Sequence, residues 1–292
     1  MSAVLSRKLS QVLGTKVLRS TAAVGGDANQ AFEVELDGGR LVFVKTQPLP
    51  LPGLYRCEAE GLEWLRAARV LRVPEVLHFS EADELGPACL VLERVKHGRR
   101  DRQYDERLGA GLAALHRMGA DRWGFVHNNY LAVLPQNNLK TETWAEFYAT
   151  RRIEPQLARA VAAGHIAAPL RERIEKALTR MAALVGPDEA PARLHGDLWA
   201  GNVLCDEHSA PVLIDPAVYG GQREVDLAMM RLFGGFSERV FAAYEEAYPL
   251  APGALERVPL YQLYPLLVHV NLFGSAYVPQ VERCIADFPA LR

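Results

Sequence analysis

The sequence predicts an α+β fold of two lobes, β-rich in the N-terminal lobe and mainly helical in the C-terminal lobe. Three observations carry that prediction. Strand-type alternation fills much of the chain up to about residue 93, apolar residues at helical spacing dominate the C-terminal two-thirds, and a charged connector containing Gly98, from Glu93 to Arg102, separates the two. At 292 residues the chain is long for one core and comfortable for two lobes sharing a cleft. The expected domains are therefore 1–94 and 95–292.

Near the start of the chain, Leu5, Leu9, Val12 and Leu13 recur at helical spacing, with Arg7 and Lys8 among them and no apolar run behind. This predicts an amphipathic helix rather than a secretory leader. Phe32–Leu36 and Leu41–Lys45 alternate as strands around Asp37-Gly38-Gly39, a hairpin signal. The Pro-rich run from Pro48 to Pro52 precedes a helix from about Tyr55 to Arg69, with Leu62, Trp64 and Leu65 on its apolar side. Val76–Phe79 and Ala88–Leu92 read as two more strands.

Beyond the connector, Leu108, Leu112, Leu115 and His116 share one helical face. Further helices are predicted near 142–163, 168–185, 224–233, 237–247 and 255–273. A short β-like insert, Arg193-Leu194, Val203–Cys205 and Val212–Ile214, is interrupted by His195-Gly196-Asp197.

Composition narrows the function. A formal net charge of -2 gives no basic footprint for nucleic acid. The four cysteines form no C-x-x-C pair, which argues against a zinc site or a disulfide framework and fits a reducing compartment. No apolar run reaches the roughly 20 residues a membrane helix needs, so a cytoplasmic location is expected. The oligomeric state stays open, monomer included.

The chemistry is concentrated in His195-Gly-Asp-Leu-Trp-Ala-Gly-Asn202, followed by Val212-Leu-Ile-Asp215. An Asp, an Asn five residues on and a second Asp after an apolar strand follow the order of a kinase catalytic loop and its metal-binding Asp. Phosphoryl transfer asks mainly for an oriented hydroxyl and a divalent cation to neutralise phosphate charge. Asp197 is the candidate catalytic residue. Asn202 offers an amide oxygen and Asp215 a carboxylate, both hard ligands suited to Mg²⁺. Taken singly, these residues also fit turns and caps; their order is what points to function. His195 is expected to brace the loop.

Upstream, Val42-Phe-Val-Lys45 ends a strand in lysine, as V-A-I-K does in kinases, where the lysine holds the nucleotide phosphates. Glu58, near the start of the next helix, is the candidate partner for Lys45, with Glu60 and Glu63 as rivals. Val24-Gly25-Gly26-Asp-Ala-Asn29 could lay backbone N–H groups over the phosphates or could be a plain hairpin turn. Leu92, Glu93 and Arg94 are candidates for backbone contacts to adenine. Asp226, in Arg223-Glu-Val-Asp-Leu-Ala228, is expected to buttress the catalytic loop or simply to favour a helix start.

At these residues the chain resembles the fructosamine kinases (ketosamine-3-kinases). Leu194-His-Gly-Asp-Leu-Trp-Ala-Gly-Asn-Val203 carries most of the resemblance, supported by Asp215-Pro-Ala, Tyr219-Gly-Gly-Gln-Arg-Glu-Val-Asp-Leu-Ala228 and Leu232-Phe-Gly-Gly-Phe236. Leu115-His116, Trp123-Gly-Phe125, Asn129-Tyr130, Pro135-Gln136, Leu260-Tyr-Gln-Leu-Tyr264 and the run from His269 to Gly274 extend it over nearly the whole chain. The resemblance implies a bilobal protein-kinase-like fold related to aminoglycoside and choline kinases. It also implies ATP and Mg²⁺ as cofactors, and phosphorylation of an amine-linked sugar at its third carbon in a deglycation or metabolite-repair role. By position it makes Asp197 the catalytic residue, Asn202 and Asp215 the metal ligands and Lys45 the phosphate lysine. Trp199 becomes either a wall for the sugar or a residue packed on the second lobe.

Two departures stand out. Some relatives carry a cysteine in the glycine-rich loop that supports redox-linked dimers; residues 25–30 contain none, so that regulation is not expected. Pro265 is expected to interrupt the late Leu-Tyr-x-Leu-Tyr helix. The competing functions are an aminoglycoside- or choline-type phosphotransferase, and a pseudokinase that binds nucleotide without transferring phosphate.

Overall fold

The computed structural model describes residues 1–23, 30–47 and 50–288, so Gly25 and Gly26 lie outside the described residues. Two compact units form: residues 1–104 with 203–217, and residues 105–202 with 218–292.

The first unit is built on an antiparallel sheet of order β1-β2-β3-β5-β4, with β1 Val17–Ala22, β2 Gln30–Leu36, β3 Leu41–Thr46, β4 Val76–Ser80 and β5 Cys89–Glu93. Gly38 and Gly39, both at positive φ, turn β2 into β3. Alternation sorts the side chains by face. Val34, Leu36, Val42, Val44, Cys89 and Val91 form one core with Leu5 and Leu9 of helix α1 (Ala3–Val12), while Phe43 and Lys45 take the opposite face. Lys8 fixes α1 to the sheet. Its buried ammonium donates to Asp83 Oδ1 at 2.9 Å and to the carbonyls of Glu81, Gly86 and Pro87. Helix α2 (Leu54–Ala67) buries Leu62 and Leu65, as their spacing predicts.

The units do not divide at a single cut after residue 94. Residues 95–104 and 203–217 join the first unit, because pairing distant in sequence holds them there. Leu213 N–H donates to Arg72 O at 2.9 Å, Gly98 N–H to Cys205 O at 2.8 Å and Tyr104 Oη to Leu204 O at 3.1 Å. The Arg72 guanidinium grips Asp206 and Glu93 together. Gly98 has to be glycine, since a Cβ there would stand 2.0 Å from Asp206 O.

The second unit is mainly helical. Its small strands Ala192–Leu194 and Tyr219–Gly221 pair antiparallel, with Leu194 opposite Tyr219. The region predicted as one helix near 142–163 is a helix at Trp144–Phe147, a π-helical segment at Tyr148–Ile153 and a helix at Glu154–Ala162.

Pro265 does not interrupt the late helix, which runs unbroken from Ala254 to Phe273 through Pro259 and Pro265. A proline inside a helix normally orphans the carbonyl four residues earlier. Here that carbonyl belongs to Tyr261, and the buried Tyr148 hydroxyl donates to it at 3.2 Å and to Leu260 O at 3.0 Å. A side chain from the π-helical segment replaces the bond that proline cannot make.

Candidate active site

In the first unit the sheet presents Lys45 beside two carboxylates. Its ammonium donates to Glu58 Oε1 at 2.6 Å and to Asp215 Oδ1 at 2.7 Å. Of the three glutamates near the start of α2, Glu58 is thus the one that meets Lys45, while Glu60 lies 3.7 Å from Arg56. Burial alone pulls the Lys45 pKa down, but Asp215 and Glu58 outweigh it and hold the ammonium well above its ordinary value. Burial pushes the Glu58 carboxyl up; Lys45 opposes that shift and the nearby charge of Asp215 adds to it. One cation serves two acids.

Asp215 is held at φ 54°, in the left-handed region, where non-glycine residues are uncommon. Such conformations persist where the surroundings fix them and cluster at functional sites. The strand Pro211–Leu213, paired with Val203–Cys205, delivers it there.

A cavity of about 320 Å³ opens in the same unit. It is lined by Thr21, Ala22, Ala23, Glu33, Phe43, Pro74, Leu92, Glu93, Arg94, Val95, His97, Leu204, Ile214 and Asp215. All three of Leu92, Glu93 and Arg94 reach its wall. Glu93 is partly committed elsewhere: its N–H donates to Glu75 O at 2.8 Å, and its carboxylate accepts from Glu75 N at 3.2 Å. Sequence reasoning missed Phe43, Glu33, Val95 and Ile214 as lining residues. Phe43 was the readable one, since a residue two before Lys45 on a strand must share its face.

In the second unit the loop after Leu194 is tied internally. Asn202 Nδ2 donates to Asp197 O at 2.8 Å and to Asp197 Oδ2 at 3.1 Å; of the two ends of the amide, the oxygen is the one with ligand chemistry. Asp197 N–H donates to His195 Nδ1 at 3.3 Å, so the wholly buried His195 braces the turn.

Asp226 holds the loop from beneath. It is fully buried in the first turn of the helix Glu224–Leu232, and accepts from His195 N at 2.8 Å and Gly196 N at 2.9 Å. Gly196 has φ 82°, which suits glycine and turns its N–H to the carboxylate. His116 Nε2 lies 3.2 Å from Asp226 Oδ2, and His116 Nδ1 lies 2.8 Å from the Tyr244 hydroxyl. Burial raises the Asp226 pKa, but His116, His195 and the Gly196 N–H overcome it and hold the carboxyl below its ordinary value. The sequence placed His116 on an apolar helix face and in a family-like Leu-His pair, without pointing it at Asp226, and gave no signal for Tyr244.

The Trp199 ring folds over Gly201, where a Cβ would come within 2.2 Å of the indole, and it remains 42% exposed. Gly235 packs on Ala200, and the Phe233 ring beside it lies 4.8 Å from the His269 ring at a tilt of 46°; His269 also meets Phe273 and Tyr277. Burial lowers the His269 pKa, favouring the neutral ring.

The family model for fructosamine kinase matches residues 1–290. A "probable ketoamine kinase" of Enterococcus faecium is 39% identical over 266 residues, covering 91% of this chain and 93% of that protein. The chloroplastic protein-ribulosamine 3-kinase of Arabidopsis thaliana is 33% identical over 283 residues, covering 96% and 85%. A crystal structure of a Thermobifida fusca protein, provisionally named a fructosamine-3-kinase, superposes with a TM-score of 0.88 at 39% identity over 97% of this chain and 98% of that one. The aminoglycoside phosphotransferase APH(4)-Ia, at 17% identity, 98% coverage of each chain and a TM-score of 0.66, shares the protein-kinase-like fold alone. The chain belongs to the fructosamine kinase family.

Proposed function

We propose that this chain is an ATP-dependent kinase that phosphorylates the 3-hydroxyl of a ketosamine sugar, in deglycation or metabolite repair. The observation that carries the proposal is Lys45, held by Glu58 and Asp215 in the unit whose cavity is bordered by Asp215 and residues 92–95. Such a cavity accepts a nucleotide, with Phe43 as an apolar face for the base and the backbone of residues 92–95 as its polar partner.

Lys45 binds the α/β-phosphates, and Glu58 keeps its ammonium aimed. Asn202 and Asp215 are the oxygen ligands we assign to Mg²⁺; an amide oxygen and a carboxylate fit that hard cation. When bound, Mg²⁺ neutralises charge on the phosphates. Asp197 accepts the proton of the sugar hydroxyl, or orients that hydroxyl, as phosphate is transferred. Asp226 and His195 hold the loop that carries it. Trp199, with its large exposed face, forms a wall for the sugar.

The names of the relatives support a ketosamine acceptor such as ribulosamine or fructosamine, and erythrulosamine is a third candidate of the same chemistry. Among the described residues no helix is long and apolar enough to cross a membrane. The free cysteines support a place in the reducing cytoplasm. Relative kcat/KM values for these three sugars on small amines, against choline and kanamycin, test the proposal. Preference for a ketosamine is expected; preference for choline or kanamycin would replace it with the other phosphotransferase function, and nucleotide binding without any transfer with the pseudokinase.

A further inference from the structure

The cavity of the first unit contains a carboxylate with no part in holding phosphate. Strand register places Thr21 of β1 opposite Glu33 of β2, Glu33 opposite Phe43 of β3, and Phe43 opposite Leu92 of β5. Residues directly opposite one another share a face of the sheet, and all four line the cavity. An acid thus stands in that row between a threonine and a phenyl ring. It is not a loose surface group: Arg94 Nε donates to Glu33 Oε1 at 3.0 Å. Glu33 Oε2 accepts no hydrogen bond among the described residues. The carboxylate is oriented, and one of its oxygens is available.

Chemistry decides which part of a nucleoside triphosphate this group can meet. Phosphates are anionic and are repelled by it. The base is served at the other end of the row, by Phe43 and the backbone of residues 92–95. Lys45 lies two residues beyond Phe43 along β3, about 7 Å at the rise of a strand, and marks the phosphate end. The ribose joins the two ends and carries two hydroxyl donors. Carboxylates that accept from ribose hydroxyls are an established device in nucleotide sites.

We propose that Glu33, oriented by Arg94, accepts hydrogen bonds from the ribose hydroxyls and makes this chain selective for ribonucleoside over deoxyribonucleoside triphosphates. The proposal rests on the nucleotide site assigned under the proposed function and adds to it which part of the nucleotide is read by a side chain.

The test is equilibrium binding of Mg²⁺ with ATP, 2′-deoxy-ATP or 3′-deoxy-ATP to the full chain, by calorimetry without any sugar acceptor. The unaltered protein should bind at least one deoxy analogue on the order of tenfold more weakly than ATP, as expected for a lost hydrogen bond to a charged group. In Glu33→Ala, ATP binding should weaken and the preference fall to about one. Glu33→Gln, which keeps an acceptor oxygen without the charge, should retain a reduced preference and serves if the alanine variant folds poorly. Equal binding of all three nucleotides to the unaltered protein, or a preference undiminished in both variants, overturns the proposal. Because no acceptor is present, the two hypotheses fail separately. A Glu33-dependent ribose preference with no transfer to ketosamines sinks only the acceptor assignment; normal transfer with no ribose preference sinks only the role of Glu33.

Discussion

Asp215 Oδ1 lies 2.7 Å from Lys45 Nζ, so the carboxylate assigned to the cation and the ammonium assigned to the phosphates are directly paired. Removing either one unbalances the other. Asp215→Ala should weaken Mg·ATP binding by about 10- to 100-fold, the loss typical of a charged hydrogen bond. Calorimetric titration with Mg·ATP checks it; unchanged affinity would remove Asp215 from the site.

Asp197 should behave differently. Its proposed work is on the acceptor hydroxyl, so Asp197→Asn should keep the affinity for ATP while kcat drops by roughly 10²- to 10⁴-fold, the usual weight of a general base. Steady-state kinetics with a ketosamine, together with nucleotide titration, separates the two effects. A wild-type kcat in this variant would show the assigned role to be wrong.

Asp226 ties loop rigidity to pH. Its pKa is depressed in the fold, so its stabilisation is complete above the unfolded value of about 4 and is lost as pH falls through the folded value. Asp226→Asn turns an amide N–H₂ toward donors and should cost about 3 kcal/mol near pH 7, as for a buried pair with one partner removed. That deficit should shrink as pH falls below about 4, where the carboxyl of the unfolded chain takes up its proton while the folded one still holds its charge. Urea unfolding of both proteins across pH 3 to 7 measures it; a deficit that does not vary with pH contradicts the assignment.

Tyr148→Phe tests the bridged helix. Without the hydroxyl, Tyr261 O loses the donor that replaces Pro265. A buried acceptor left unsatisfied costs about 1–3 kcal/mol. The loss should appear in chemical denaturation, with KM for ATP unchanged. Undiminished stability would mean that water serves that carbonyl equally well.

These residues also show what the sequence could reveal. Lys45 and Glu58 were legible because strand alternation, a following helix and charge complementarity are local signals. Asp197, Asn202 and Asp215 were nominated from their order along the chain alone. Pro265 was misread because its local rule, that proline ends a helix, was overridden by a tyrosine more than a hundred residues away. The transfer of residues 203–217 to the first unit depends on Arg72 reaching Asp206 and Val212, pairings with no periodic trace in the chain. His116 and Tyr244 converge on Asp226 for the same reason: buried polar partners are chosen by tertiary proximity, and spacing along the chain is silent about them. Residues 92–94 line the cavity, but the spending of the Glu93 N–H on Glu75 could be seen only in three dimensions.

The most direct measurement follows the γ-phosphate itself. ³¹P NMR of the purified chain with Mg·ATP and a ribulosamine should show one new phosphomonoester, located on the C3 oxygen, formed in step with ADP and absent with Asp197→Asn. Release of ADP and inorganic phosphate alone, or a phosphoester on choline or kanamycin but on no ketosamine, would contradict the account at its centre.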